Sequence, residues 1–396
     1  MTSNEIQIVG ASARAAAFSA LRAGLTPIAC DLFGDEDLRA AARFVPLDGP
    51  YPSGFEAALA DLEPAPLIYT GGLENHPEVI ERLAARRPLW GNGGGALRGA
   101  RDPFQFFAAL ATTGASPPEV RPASSPPRDL TGWLRKPFRG AGGKGIATAR
   151  EPRRDAPGTW YYQRRAPGEC HSSLHLARRD GCDVLGVTRQ IVGERWLHAP
   201  PFAWCGNIGP AVLPGRVLDV IRDAGCAAAR AFSLRGLFGI DFLLEGGAVH
   251  PVDLNPRYPA STEILEHALE LSAILLHRRA FEEGDTSRTP DAPGTPAAGR
   301  VLGKAVVYAP RDVVLADDLV ALHPPDPSAF PVLADLPRRG GRIAAGRPLL
   351  TVFARGEDDA SCEAALRRSA REVLGHFKPA PRRSYYRPGC DRTCKG

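Results

Sequence analysis

Apolar positions in the first hundred residues fall into short continuous runs separated by helical stretches. Ile6 to Val9 reads as a buried strand, and Gly10-Ala11-Ser12-Ala13-Arg14 turns from it into an alanine-rich helix ending near Gly24. Pro27 to Cys30 is a second strand, closed by Asp31. Leu67 to Thr70 is another, followed by Gly71-Gly72 and a helix over Pro77 to Arg86. Pro88 to Trp90 reads as a short strand before the loop Gly91-Asn92-Gly93-Gly94-Gly95. Strands buried on both faces read as unbroken apolar runs, and their alternation with helices implies a parallel sheet covered on both sides. The unit is expected to span residues 1–98.

The pattern then changes. Phe104 to Thr113 is expected to be helical, and residues 115–128 form an extended proline-rich connection. From about 131 the alternation suits antiparallel strands and hairpins, with a helix near 216–232. Residues 283–299 read as a linker. A smaller β-rich unit follows over 300–377, with a last helix near 358–375, and a basic tail closes the chain over 378–396. The body between the two flanking units is therefore 99–282. No internal repeat occurs.

Composition narrows the class. The chain has 396 residues, 44% hydrophobic and 23% charged. That suits a globular α/β protein of two or three domains and excludes a disordered chain, a collagen or a coiled coil. No run of 18 apolar residues occurs, and the N-terminus lacks a basic start and an apolar signal core. The expectation is a cytoplasmic protein with no membrane contact. Eight scattered cysteines are expected to be reduced thiols. Cys390 and Cys394 form a CxxxC without the further ligands a zinc site needs. The net charge of +5 resides in the tail, where Lys378 to Gly396 carry six basic residues and one acidic one. The neutral body argues against a nucleic-acid partner.

Of 49 basic residues only five are lysine. Where arginine is the habitual cation, a lysine marks a place that wants a compact ammonium. Two of the five, Lys136 and Lys144, lie within Trp133-Leu-Arg-Lys136-Pro-Phe-Arg139-Gly140-Ala-Gly142-Gly143-Lys144-Gly145-Ile146. The glycines join two strands, unlike a Walker loop, which opens a helix. Their bare amides suit phosphate oxygens, with Lys136 and Arg139 supplying charge; a plain glycine-rich hairpin is the alternative. Lys304 and Lys395 lie outside any motif and are expected to be replaceable by arginine.

A second segment, Gly239 to Arg257, holds two strands around Glu245-Gly246-Gly247-Ala248. With a three-residue loop, Ile240 pairs with Leu254 and Phe242 with Val252. Asp241 then faces Asp253 on the polar side, beside Asn255, with Arg257 two residues on. Uncompensated, two aspartates placed opposite each other repel. Oxygen-only ligands suit magnesium, which takes one or two carboxylates together with substrate phosphates; a solvated hairpin face is the alternative.

The opening strand, turn and helix raise a different class, a NAD-dependent enzyme. Asp31 follows Gly10 at dinucleotide-fold spacing, but Ser12 and Ala15 stand where the other two glycines belong. A plain βαβ start accounts for the same residues.

Together, the glycine segment and the aspartate hairpin resemble the ATP-grasp superfamily, in which a lysine and a glycine-rich flap cover the nucleotide and a D/E…E-x-N-x-R hairpin holds magnesium. The counterparts are Lys136, Arg139, Gly140, Gly142, Gly143, Lys144 and Gly145, and then Asp241, Asp253, Asn255 and Arg257. Tyr161 to Gly168, with Ser172, resembles the hinge strand that contacts adenine, through Gln163. The resemblance covers about 1–275 and implies an ATP-grasp fold with a Rossmann-like N-terminal domain and a small β-rich C-terminal domain. Three departures stand out. Asp253 replaces a usual glutamate, Arg164 stands in an acidic position, and Arg101 stands where a lysine often follows an aspartate. Ala334-Asp335-Leu-Pro337, Gly341, Ile343 and Gly346-Arg-Pro348 resemble the closing domain of predicted ATP-dependent carboligases. That subgroup is associated with tetrahydromethanopterin or methanofuran biosynthesis, where tyramine is joined to glutamate.

The resemblance implies a carboxylate–amine ligase using ATP and one or two Mg2+ ions, or Mn2+. Its partners are a small carboxylate and an amine, and the oligomeric state is open, a homodimer included. Lys136 and Arg257 are the expected catalytic cations. An ATP-dependent carboxylase of the same superfamily, the NAD-dependent enzyme and a non-catalytic nucleotide-binding regulator are the alternatives.

Three other features have bland readings. His171 and His175 are about 13 Å apart along a strand, too far for one ion, and read as core or surface histidines. Trp204 to Pro210 forms a turn, either structural or lining an acceptor pocket. Glu74 and Asn75 follow a strand's carboxyl end, where α/β sheets place ligands; a helix cap is the equal reading.

Overall fold

The computed structural model describes residues 4–151, 158–282 and 301–381. The linker expected over 283–299, and most of the tail with Cys390 and Cys394, lie outside the described residues.

The N-terminal unit runs β1 (Glu5–Gly10), α1 (Arg14–Arg22), β2 (Thr26–Asp31), α2 (Glu36–Ala41), β3 (Arg43–Phe44), α3 (Gly54–Ala58), β4 (Leu67–Tyr69) and α4 (Pro77–Ala84). The strands pair in parallel in the order β3-β2-β1-β4, and the buried apolar runs are β1, β2 and β4. The strand expected over Pro88–Trp90 is reduced to a single bridge, Leu67 to Leu89. The glycine loop expected over 91–95 gives way at Gly94 to α5 (Gly94–Ala100). Glycine disfavours helix by about 1 kcal/mol, but buried Leu97 packs into the cluster around Tyr69 and Leu83, and that burial wins.

Asp102 ends the α5 turn and starts α6 (Pro103–Ala109). Its carboxylate accepts from Phe104 N and Gln105 N, with Pro103 in the first helical position, the standard use of both residue types. Arg101 is thereby fixed between two helices.

A four-stranded antiparallel sheet follows, made of β5 (Val120–Pro122), β6 (Trp133–Pro137), β7 (Ala147–Thr148) and β8 (Trp160–Arg164) in the order β5-β8-β6-β7. The proline-rich connection thus contributes one short strand, β5, at a sheet edge, where proline is tolerated.

The largest sheet uses β9 (Glu169–Ala177), β10 (Cys182–Val192), β11 (Trp204–Gly209), β12 (Gly236–Glu245) and β13 (Ala248–Asn255), crossed by helix α7 (Gly215–Phe232). Val217, Ile221, Ala224 and Ala228 form the buried stripe of α7, at helical spacing. His171 and His175 stack on Phe242 and Phe238, which agrees with core histidines. Helices α8 (Thr262–Ala268) and α9 (Ala273–Phe281) follow.

Beyond residue 300 come β14 (Val301–Tyr308), β15 (Val313–Leu315), α10 (Leu319–Leu322), β16 (Leu333–Ala334), β17 (Arg342–Ile343), β18 (Pro348–Gly356), α11 (Asp359–Val373) and β19 (Phe377–Pro379). Only β15, β17 and β19 make a sheet of their own. β14, β18 and β16 extend the large sheet into eight strands, β13-β12-β9-β10-β11-β14-β18-β16. The expected C-terminal helix is α11, capped by Asp358 and Ser361, with Cys362, Leu366, Ala370 and Val373 facing the core. Among the described residues no helix is long and apolar enough to cross a membrane.

Candidate active site

A cavity of about 1740 Å³ lies between the N-terminal unit, the small sheet and the large sheet. Lys136, the residues Gly140 to Gly145, Gln163, Asp241, Asp253, Asn255 and Arg257 all line it. Arg139 does not; its side chain is exposed beyond the cavity wall. On a strand, neighbouring side chains point to opposite faces, but Arg139 follows the end of β6, where that alternation lapses.

The glycine segment is a hairpin tip between β6 and β7, and it is folded down. Gly142, Gly143 and Gly145 have φ of 57, 77 and 84°, the left-handed region that glycine enters without strain. A Cβ on Gly143 would lie 1.8 Å from Phe202 O. The neighbouring Gly142 O accepts from Trp204 N at 3.1 Å. The segment before β11 is therefore the dock for the flap; Trp204 to Gly209, expected as a turn, is strand β11, and its Trp204 and Asn207 face the cavity.

The aspartate hairpin reaches the expected pairing by another route. The turn is two residues, Gly246-Gly247, both with positive φ, which suits the twist of the strands. With that turn Phe242 pairs with Pro251, not Val252. A bulge leaves Val252 unpaired, and beyond it Asp241 faces Asp253 and Ile240 faces Leu254. The carbonyl of Val252 accepts from Lys136 Nζ at 2.8 Å.

Polar contacts lock the set. Asp241 accepts from Gln190 Nε2 at 2.9 Å and from Asn255 Nδ2 at 3.0 Å. Asn255 Oδ1 accepts from Arg257 Nη2 at 2.8 Å, and Arg257 Nε donates to buried Glu74 at 3.1 Å. Burial, and then the charge of Asp253, pushes the Asp241 carboxyl up to about 6. Burial pulls Asp253 in the same direction, but Arg101, Lys136 and Arg257 outweigh it and hold that carboxyl below its ordinary value. Asp253 lies deep in the molecule yet opens onto the cavity, its side chain 38% exposed. Among the described residues no three His, Cys, Asp or Glu side chains cluster to hold a metal. The set is two carboxylates and an amide, which suits an ion sharing its coordination with phosphate oxygens.

On β8, Gln163 is 2% exposed and its Oε1 has no hydrogen-bond partner. Arg164 turns away to Thr131 O at 3.0 Å, although the residue borders the cavity. Glu74 and Asn75 are not helix caps; Glu74 pairs with Arg257, and Asn75 Nδ2 donates to Gly140 O at 3.2 Å. In the N-terminal unit, Asp31 accepts from the amides of Ala13, Phe33 and Gly34. Its carboxylate ties the turn together, and the dinucleotide reading loses its ribose ligand.

Two residues that the sequence singled out by type take contacts that it did not specify. Arg101 enters the aspartate set, donating to Asp253 Oδ1 at 2.9 Å. Lys304 is 4% exposed, lines the cavity, lies over the Trp204 ring and pairs with Glu263 at 3.0 Å. Glu263 is shared with Arg14, which also reaches Asp335 at 3.0 Å. Lys304 thus lies in the cavity wall, held by Glu263 and Trp204, surroundings that argue against its free replacement by arginine. The scarcity of lysine was the signal for it, since three of the five line the cavity.

Comparison with known proteins agrees with this architecture. A family model described as ATP-grasp domain matches residues 100–261, the span that holds the hinge, flap and hairpin. Three solved structures align over nearly the whole chain. An L-amino acid ligase from Bacillus licheniformis is 15% identical with a TM-score of 0.69, covering 96% of this chain and 98% of that one. A biotin carboxylase from Campylobacter jejuni is 14% identical with a TM-score of 0.66, covering 94% and 91%. An N5-carboxyaminoimidazole ribonucleotide synthetase from Thermus thermophilus is 17% identical with a TM-score of 0.63, covering 95% and 99%. The chain has the ATP-grasp fold, with an ATP-grasp domain over 100–261. In sequence it is similar to an uncharacterised protein of Methanocaldococcus jannaschii, 24% identical over 155 residues. That match spans 38% of this chain and 34% of the relative.

Proposed function

We propose that the protein is an ATP-dependent ligase that activates a carboxylate as an acyl phosphate and joins it to an amine, releasing ADP and phosphate. The observation that carries this reading is the cross-strand pair Asp241–Asp253, with Asn255, set among Lys136, Arg257 and the glycine flap. In it, cations and oxygen ligands converge at one end of the cavity, where the terminal phosphate of ATP belongs.

Asp241, Asp253 and Asn255 would hold Mg2+ or Mn2+. Such an ion screens the phosphates from an attacking anion. Lys136 is fixed by the Val252 carbonyl and supplies a point charge for phosphate oxygens. The amides of Gly140 to Gly145 close over them and exclude water. Gln163 Oε1, a buried acceptor without a donor, suits the amino group of adenine. Arg257 is held by Asn255 and Glu74 and stabilises the charge shared by the phosphoryl group and the carboxylate. The carboxylate oxygen forms a bond to the γ-phosphorus as the bond to ADP breaks. The amine, as free base, then attacks the carbonyl carbon, and phosphate leaves with the transferred oxygen.

The test uses the full chain, MgATP, and pairs of carboxylates and amines beginning with glutamate and tyramine-like amines. With the carboxylate labelled in heavy oxygen, the released phosphate should carry label and the nucleotide product should be ADP. AMP and pyrophosphate remove the acyl-phosphate route. Turnover that requires bicarbonate, with no added carboxylate, assigns the carboxylase instead.

A further inference from the structure

The Arg101 guanidinium joins four pieces of chain. Nη1 donates to Asp253 Oδ1 at 2.9 Å and to Leu254 O at 2.8 Å. Nη2 donates to Gly140 O at 3.1 Å, and Nε to Asn75 Oδ1 at 3.3 Å. Gly140 O also accepts from Asn75 Nδ2. The carbonyl at the root of the flap is thus held by two donors, and one of them is also the counter-ion of Asp253. A planar fork with five N–H groups can serve all these acceptors, which a single ammonium cannot. Backbone capping fixes the base of Arg101 between α5 and α6, so the side chain cannot follow the flap if the flap lifts.

The same Asp253 oxygen cannot serve Arg101 and a divalent cation equally. The two positive groups repel at this range, and the carboxylate has to be shared between them. We propose that Arg101 is a positioning residue that acts as a latch. While it neutralises Asp253, it also holds the flap root at Gly140. A cation entering at Asp241, Asp253 and Asn255 displaces it from Asp253 and loosens the flap for nucleotide entry. The inference rests on the reading of these three residues as a cation site. Linkage makes the coupling reciprocal, so the latched flap lowers cation affinity as much as the cation loosens the flap.

Two measurements on the full-length protein separate the latch from an ordinary ion pair. One is Mn2+ binding by electron paramagnetic resonance, alone and with ADP. The other is hydrogen exchange at the Trp204 amide, which Gly142 O holds at the flap tip. R101Q is expected to bind Mn2+ about tenfold more tightly than the natural protein, and to exchange Trp204 about tenfold faster without metal. Mn2+ should speed that exchange in the natural protein and leave R101Q unchanged. R101K keeps the charge but loses the fork. It should bind Mn2+ more tightly than the natural protein but less tightly than R101Q, while its flap exchanges faster, and it serves if R101Q does not fold. Unchanged Mn2+ affinity in R101Q, or Trp204 exchange at the natural rate in R101K, overturns the latch. D253N distinguishes the two levels. If it binds Mn2+ as the natural protein does, the cation site itself is wrong. If it loses Mn2+ while R101Q matches the natural protein, only the latch is wrong.

Discussion

Asp241 lies directly opposite Asp253 although the turn joining their strands is one residue too short for that register. The bulge at Val252 supplies the missing residue, and the carbonyl of that unpaired residue is the one that takes Lys136. Bulges commonly re-aim side chains beside active sites. Here a single irregularity aligns two carboxylates and seats a lysine between them and the flap.

Asp253→Asn keeps the shape of the site and removes a charge. Magnesium-dependent ATP turnover should fall by about 100-fold, the scale of losing a positioned electrostatic group. The melting temperature should stay near that of the natural protein. Turnover near the natural value would show that Asp253 holds no metal.

Lys136 and Lys304 should both resist replacement by arginine, for different reasons. The ammonium of Lys136 fits a single carbonyl beside the bulge, so Lys136→Arg should raise the KM for ATP clearly. Lys304 is packed between Glu263 and Trp204, so Lys304→Arg should lower stability first. Titration of ATP binding alongside urea unfolding separates the two. Equal, small effects on both readouts would refute this division.

The flap predicts an unequal pair of alanine substitutions. Gly142 has open space around its missing Cβ, whereas Gly143 faces Phe202 O. Both carry the cost of a left-handed residue, about 1 kcal/mol. Only Gly143→Ala must also push the flap off its dock. It should impair ATP turnover by several-fold more than Gly142→Ala does, measured under saturating carboxylate and amine.

Glu263 gives a pH dependence. Its burial would raise its carboxyl, but Arg14 and Lys304 reverse that and hold it well below the ordinary glutamate value. A carboxyl depressed in the folded state stabilises it fully above the unfolded value of about 4.3 and loses that contribution as pH falls further. Denaturant unfolding should therefore show stability falling below about pH 4 in the natural protein. Glu263→Gln leaves two buried cations short of a partner and should cost about 3–5 kcal/mol at pH 7. The gap between the two proteins should close toward pH 2. A gap independent of pH would mean that the ion pairs do not carry the stability.

The parallel N-terminal sheet, the flap and the aspartate hairpin were legible because each is a local pattern. Unbroken apolar runs mark β1, β2 and β4, glycines between strands mark the flap, and alternation around Asp241 and Asp253 marks the hairpin. The bulge was not legible, since a two-residue turn with a bulge and a three-residue loop bring Asp241 to the same partner. Arg101 and Lys304 could be singled out by type, but their partners lie on other elements, and no spacing along the chain announces such contacts. The helix α5 was hidden by its own glycines. Continuation of the large sheet into β14 was hidden because edge pairing between β11 and β14 depends on backbone, and Gly206 permits it by offering no Cβ toward Lys304 O.

That shared sheet has a consequence for how the protein is made. Synthesis runs from the N-terminus, so the aspartate hairpin and the flap leave the ribosome before β14 does. Until residues 301–308 arrive, the outer edge of β11 has unpaired backbone groups, and such edges invite pairing with other chains. Lys304 and Asp335 arrive last, and with them the counter-ions that Glu263 and Arg14 keep in the finished molecule. A nascent chain halted before β14 therefore carries its glycine flap and aspartate hairpin beside an open sheet edge and is the form most in need of a chaperone.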